Sequence, residues 1–250
     1  MMTTFNLSVS PDFGADKLAS WHIFNTWLQK KLGIGCHLAL YDSFEKQREA
    51  IAADQIDLIY ANPADAAMLV REKQFIAIAH PDNLADEAVV AVSANSPVKR
   101  VEDLKPGITV ASSGDPDVLM MGMIMLEPAD ITPADVKQTT CATYVLIAKA
   151  LMTGTADVGI FPARGFDGLS AIVRGSLHPL VRSQISVVRH MLLAGPKFAP
   201  HAAQLQQALA GMANDPKEAA ILKDLGLNRW EITPQEEVEF MIDLMHTLID

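Results

Sequence analysis

The sequence is poor in cysteine and in basic charge, and each shortage excludes a class of protein. Only two cysteines, Cys36 and Cys141, occur in 250 residues. They lack the close Cys/His spacing of a zinc site and are too few for a disulfide framework. Twenty basic residues stand against thirty acidic ones, which gives a formal net charge of −10. Nucleic acids and anionic membranes select clustered lysine and arginine, so we predict no nucleic-acid partner.

The sequence also lacks a long apolar run and an obvious leader. No run reaches the roughly 20 residues that span a bilayer, so we predict no membrane insertion. No basic-then-apolar segment precedes the first strand, which begins at Phe5. We therefore expect a cytoplasmic protein if the chain is complete as written, and a periplasmic protein if a signal peptide was removed. Half of the residues are nonetheless hydrophobic, which excludes disorder, and the length allows one large or two modest domains.

Short apolar strands alternate with amphipathic helices along the chain. Residues 5–10 alternate like a strand, and a helix with one apolar face follows and ends at Gly33. Residues 56–61 form an almost continuous apolar strand, which is typical of a parallel sheet buried on both faces. The alternation predicts α/β units. Three C-terminal helices, near 202–212, 216–225 and 234–248, are expected to pack on the first lobe.

Two features predict that the chain builds two lobes. The helix–turn–strand pattern of residues 50–60 recurs at residues 150–160. Long apolar strands at residues 88–92 and 187–193 are suited to be the two crossovers between lobes. The prediction is a discontinuous lobe I from residues 1–87 and 191–250, which includes the C-terminal helices, and a lobe II from residues 88–190, which includes the hinge strands.

Three segments carry a resemblance to a known family. They are the helix-to-strand unit 48–63, the segment 96–111 with its Val-Glu-Asp-Leu turn before Pro106-Gly107, and the unit 148–161. Through them the chain resembles the phosphate/phosphite/phosphonate-type substrate-binding proteins of ABC transporters, which have the class II periplasmic-binding-protein fold. The resemblance implies an α/β protein of two lobes, each a mostly parallel sheet flanked by helices. Two hinge crossovers would let the lobes close on a small ligand without chemistry.

Candidate ligand-binding residues follow from where such sheets bind ligands. In open parallel sheets, the ligand lies beyond the carboxyl ends of the strands, against the N-termini of helices. We therefore expect a ligand in the cleft between the lobes. The residues predicted to line it are Asp12, Phe13, Asn62, Asp65, Ser112, Ser113, Asp115, Asp117, Thr143, Tyr144 and Arg164.

We call the turn between the end of a strand and the next helix a corner. The corner after residue 111 departs from the family pattern. There the resembled family holds an anion with a run of serine and threonine. An ungapped comparison places Asp115-Pro116-Asp117 on that run, and two carboxylates would repel a phosphonate. A shifted comparison puts Ser112 and Ser113 in that role. Both registers stay open.

The acidic residues at these corners have two interpretations. Asn62 and Asp115 each precede a proline, which is the pattern of an ordinary helix N-cap without any ligand. The alternative is an acidic cleft in which Asp12, Asp65 and the two aspartates after Ser113 bind an amine, a cation or a zwitterion. Arg164 and the serine hydroxyls would then hold the anionic end of the ligand.

Three functions remain open from the sequence. The leading hypothesis is non-catalytic binding of a phosphonate-like oxyanion or an amine-bearing zwitterion, with an ABC permease or a sensor or regulator protein as partner. No catalytic residue, metal ligand or cofactor is predicted. The second is a cytoplasmic enzyme on the same fold, as in menaquinone-precursor biosynthesis, in which Asp65, Asp115 and Asp117 act as acid or base beside Tyr144 and His80. The third is a detached effector half of a transcription regulator.

Overall fold

The computed structural model describes residues 4–12 and 15–247. The strands are β1 (Thr4–Val9), β2 (Gly35–Ala39), β3 (Leu58–Ala61), β4 (Ile76–Pro81), β5 (Ala88–Ser93), β6 (Thr109–Ser112), β7 (Lys137–Thr140), β8 (Val158–Pro162), β9 (Leu177–Arg182), β10 (Met191–Ala194) and β11 (Trp230–Ile232). The helices are α1 (Leu18–Leu32), α2 (Phe44–Ala52), α3 (Pro63–Lys73), α4 (Pro116–Ile124), α5 (Tyr144–Thr153), α6 (Ala163–Asp167), α7 (Ala171–Gly175), α8 (Ala202–Gly211), α9 (Pro216–Leu225) and α10 (Gln235–Thr247).

The contacts of the chain divide it into two compact units. Unit 1 ends its first part at Leu84, resumes at Arg189 and runs to Met245. Unit 2 is built mainly from Ala85–Val188. The lobe boundaries expected from the sequence, 87/88 and 190/191, stay a prediction.

The sheet of unit 1 has the strand order β11-β4-β10-β3-β1-β2. Strand β1 pairs in parallel with β2 and β3, whereas β10 pairs antiparallel with β3 and β4, and β11 pairs antiparallel with β4. The α/β class is confirmed, but the expectation of a mostly parallel sheet is corrected. The reason is that β10, the strand with which the chain returns to unit 1, enters the middle of the sheet from the opposite end.

The sheet of unit 2 is also mixed, with the order β7-β6-β8-β5-β9. Strand β6 pairs in parallel with β7 and β8. Strand β5 pairs antiparallel with β8 and β9. In each unit, therefore, the three strands with parallel pairing end at a common edge, and a helix starts beyond each of them.

The core of unit 1 is aromatic. Trp21 and Phe24 of α1 pack edge to face with their rings 5.4 Å apart, and Trp21 contacts the ring of Tyr60 on β3 at 5.2 Å. Helix α1 ends at Gly33, which adopts the left-handed conformation at φ +66°, as the sequence predicts. Helices α8 and α9 add apolar side chains to the same core: Leu205, Leu209, Leu222 and Leu225.

The core of unit 2 is mainly aliphatic, with Phe161 and Phe166 as an edge-to-face ring pair, and one helix approaches its sheet closely. A Cβ placed on Gly122 of α4 would lie 2.4 Å from Cγ2 of Ile160 on β8. The helix that starts at Asp115 and Pro116 is thus held directly against the centre of the sheet. Among the described residues, no helix combines the length and the hydropathy that a membrane span needs.

Candidate functional site

In unit 1 the carboxyl ends of β1 and β3 lie side by side and carry a hydrogen-bonded polar group. The backbone N–H of Ser10 donates to the carbonyl of Tyr60 at 2.9 Å, which fixes the two strand ends together. Asn62 caps α3, because its Oδ1 accepts the backbone N–H of Asp65 at 2.8 Å. The capping role predicted for the Asn62-Pro63 pattern is confirmed.

Asp65 is held on both sides. Its Oδ1 accepts from Arg48 Nε at 2.6 Å, and its Oδ2 accepts from Asn62 Nδ2 at 2.7 Å. The same Asn62 amide reaches Ser10 Oγ at 3.4 Å. Asp65 is buried, so its charge is balanced within unit 1 by the arginine. Its contact with a ligand stays a prediction.

Asp12 pairs with a histidine from the returning strand. His190 Nε2 lies 2.8 Å from Asp12 Oδ2, and the His190 ring stacks on the ring of Tyr60 at 5.5 Å. Burial raises the pKa of Asp12, but the charge of His190 and hydrogen bonds from His190 and the Ser10 hydroxyl outweigh it, so the pKa lies below its ordinary value. Asp12 is therefore a carboxylate at neutral pH. Phe13, the neighbouring candidate, lies outside the described residues.

Gln47 is a residue of this site that the sequence analysis missed. It is fully buried, and its Nε2 donates to Ser8 Oγ and to the carbonyl of Val9, both at 2.8 Å. The signal was present, because Gln47 shares the buried face of α2 with Ala50 and Ile51. A polar residue at a core position of an amphipathic helix needs a buried partner. By contrast, nothing in the sequence connects His190 to Asp12.

In unit 2 the first predicted corner follows β6. Asp115 caps α4, since its Oδ1 accepts the backbone N–H groups of Asp117 at 3.1 Å and Val118 at 3.3 Å. The Ser112 hydroxyl accepts the Gly114 N–H at 3.3 Å. Asp115 and Asp117 are 6% and 1% exposed. Asp115 is therefore an N-cap, and its contact with a ligand stays a prediction. The cap places two buried carboxyl groups where an anion would need N–H donors.

Two further corners of unit 2 follow β7 and β8. Thr143 caps α5 by accepting the N–H of Leu146 at 3.2 Å. Tyr144 covers Gly165 of α6, where a Cβ would lie 2.7 Å from the tyrosine ring, and Arg164 beside it is exposed. A Cβ on Gly114 would lie 3.1 Å from Thr140 Cγ2, so the β6 and β7 corners are in contact.

The candidate residues that the structure describes are divided between the two units. Asp12, Asn62 and Asp65 belong to unit 1. The members in unit 2 are Ser112, Ser113, Asp115, Asp117, Thr143, Tyr144 and Arg164. Within residues 4–12 and 15–247, no group of three or more His, Cys, Asp or Glu side chains is arranged to hold a metal ion.

From the surroundings of His80, at the end of β4, we expect the stability of the protein to depend on pH. Its Nδ1 lies 2.8 Å from Thr233 Oγ1, and its Nε2 lies 2.6 Å from Arg189 Nη1. Burial, and next the charge of Arg189, lower the pKa of His80, and they outweigh the charges of Glu231 and Glu237, which raise it. The unfolded chain then binds this proton more readily than the folded chain, so the free energy of unfolding should fall as the pH drops below about 6.5.

Urea unfolding between about pH 7.5 and about pH 5.5 measures this effect. We expect a shallower pH dependence in His80→Gln than in the unmodified protein. His37→Gln, which changes an exposed histidine of β2, should keep the original dependence. Equal slopes in all three proteins would refute the role of His80.

Comparisons with known proteins agree with this architecture. A family model described as the periplasmic substrate-binding protein of phosphonate ABC transporters matches residues 7–238. The structure of PhnD1 from Prochlorococcus marinus, in complex with methylphosphonate, aligns with a TM-score of 0.80 over 98% of both chains at 13% identity. XAC2383 from Xanthomonas citri, bound to chloride, aligns with a TM-score of 0.77 over 99% of both chains at 15% identity.

A third structure, a binding protein component of an ABC phosphonate transporter from Pseudomonas aeruginosa, has a TM-score of 0.75 at 12% identity. It covers 100% of this chain and 90% of its own. These likenesses show the fold. A comparison with curated proteins found no match. The family match confirms the resemblance found in the sequence: the chain belongs to the phosphonate-type periplasmic substrate-binding proteins of ABC transporters.

Proposed function

We propose that this protein binds a small zwitterion, which carries an ammonium group beside a phosphonate-type oxyanion, and releases it unchanged. Delivery of the ligand to an ABC permease and a periplasmic location are parts of the same proposal, and both draw on the family. The ligand class draws on the charge of the strand-end residues.

One observation carries the choice of ligand. The backbone N–H groups of Asp117 and Val118, at the start of α4, donate to the carboxylate of Asp115. These N–H groups are therefore not available to an external anion. In unit 1, Asp12 is ionised at a strand end. Both features favour a ligand with a cationic group over a bare oxyanion.

The anionic end of the ligand needs donors, and unit 2 offers several. Ser113 and Thr140 stand at the ends of β6 and β7, and Thr143 stands at the start of α5. Arg164 is exposed at the start of α6 and can pair with two oxygens of a phosphonate. We propose these residues as the oxyanion-binding group.

The alternative of an enzyme has less support. A general base must have an oxygen available to the substrate, whereas both oxygens of Asp65 already accept hydrogen bonds from Arg48 and Asn62. Oδ1 of Asp115 accepts two helix N–H groups. His80 is held between Thr233 and Arg189 in unit 1, while Tyr144 belongs to unit 2.

Isothermal titration calorimetry with three ligands tests the proposal. We expect 2-aminoethylphosphonate to bind at least about tenfold more tightly than methylphosphonate, a difference of about 1.4 kcal/mol or more. Phosphite should bind as weakly as methylphosphonate, because it also lacks the cationic group. Equal or tighter binding of methylphosphonate or phosphite would show that the ligand is a simple oxyanion.

A further inference from the structure

The strand-end residues of unit 1 form a continuous hydrogen-bonded cluster, which we call the Asp12 cluster: Ser10, Asp12, Asn62 and His190. Asn62 donates to Ser10 Oγ at 3.4 Å, and the Ser10 hydroxyl donates to the Asp12 carboxylate. His190 closes the chain at 2.8 Å from Asp12 Oδ2. Each member is at least four-fifths buried, so each polar atom needs a partner inside the protein or on a ligand.

A count of donors and acceptors shows what the cluster lacks. Asp12 Oδ1 is buried, and among the described residues no donor lies within hydrogen-bond distance of it. The Asp12 carboxylate therefore has one oxygen, just beyond the end of β1, that can still accept a hydrogen bond.

The position of His190 determines which oxygen of Asp12 has a partner. The His190 ring lies against Tyr60 with only 25° between their planes, which restrains the imidazole. Its Nε2 is thereby kept on Asp12 Oδ2, and Oδ1 is the oxygen that still lacks a donor. Burying such an acceptor costs free energy that an N–H donor of a ligand would restore.

We propose that the Asp12 cluster is the subsite for the ammonium group of the ligand, with Asp12 Oδ1 accepting one of its N–H groups and His190 acting as a positioning residue. This inference rests on the proposed function and assigns the cationic end to unit 1. An ammonium group suits the subsite because it has three donors and no acceptor. The carboxylate adds charge attraction, which a neutral amide ligand would not gain.

A series of ligands tests the subsite on the unmodified protein. N-Methylation of 2-aminoethylphosphonate leaves two N–H donors, whereas trimethylation keeps the positive charge and removes all three. We expect the monomethyl form to bind within about threefold of the parent, and the trimethyl form at least about tenfold more weakly. Equal affinity of the trimethyl form would overturn the inference, because charge alone would then be recognised.

Two isosteric variants locate the subsite. Asp12→Asn should bring the affinity ratio of 2-aminoethylphosphonate to methylphosphonate close to one, and methylphosphonate should bind as it does to the unmodified protein. Asp215→Asn removes a carboxylate that lies outside the candidate residues, keeps a capping side chain at the start of α9 and should preserve the ratio. A ratio preserved in Asp12→Asn, or lost in Asp215→Asn, would overturn the assignment to Asp12. A ratio of one in the unmodified protein would instead refute the proposed function.

Discussion

Replacing Trp21 by alanine should lower the free energy of unfolding by about 3–5 kcal/mol. Trp21 is 1% exposed and packs on Phe24 and Tyr60, so alanine leaves a large cavity in the core of unit 1. The effect should reach the candidate site, because Tyr60 contacts Trp21 on one side and His190 on the other. Urea denaturation gives the free energy of unfolding, and binding of 2-aminoethylphosphonate should weaken in the same variant.

The control for this change lies two residues away on the same helix. Ile23 is 48% exposed, so Ile23→Ala should change the free energy of unfolding by no more than about 0.5 kcal/mol. Similar losses in the two variants would show that α1 does not turn its Trp21 face into the core.

The second large effect is expected at Gly122. Alanine usually stabilises a helix relative to glycine by about 0.5–1 kcal/mol. Here its methyl group would lie 2.4 Å from Ile160 Cγ2, so we expect a destabilisation of about 1–3 kcal/mol. The clash should also displace α4, which carries Asp115 and Asp117 at its start.

Gly175 is the matched position for this substitution. It ends α7 in the same unit, and a Cβ there would have no atom within 4 Å. Gly175→Ala should therefore leave stability unchanged or raise it by up to about 1 kcal/mol. If Gly122→Ala also left stability unchanged or raised it, α4 would not pack against β8 as described. Thermal unfolding of the two variants measures the difference.

Several helix ends can be predicted from the sequence, because they depend on interactions between neighbouring residues. Gly33 ends α1 because a left-handed residue closes a helix, and Asn62 and Asp115 start helices because their side chains accept backbone N–H groups. Each of these signals depends on a few neighbouring residues. They can therefore be recognised without knowledge of the tertiary structure.

The features of the fold and of the candidate site that the sequence does not predict depend on contacts between distant segments. The antiparallel insertion of β10 between β3 and β4 is set by where the chain returns to the sheet, and the apolar run of this strand does not encode its direction. The pair of Asp12 and His190 exists only after that return. Strand β11 has three residues, too few for an alternating pattern.

We expect the protein to hold an amine-bearing phosphonate and to return it unchanged. Phosphorus NMR of the protein with one equivalent of 2-aminoethylphosphonate tests binding and release in one experiment. The expected result is a single shifted resonance from the bound ligand, and recovery of the original ligand signal, with no other phosphorus species, after the protein is denatured. An unshifted resonance, or a new phosphorus product that grows with time, would contradict it.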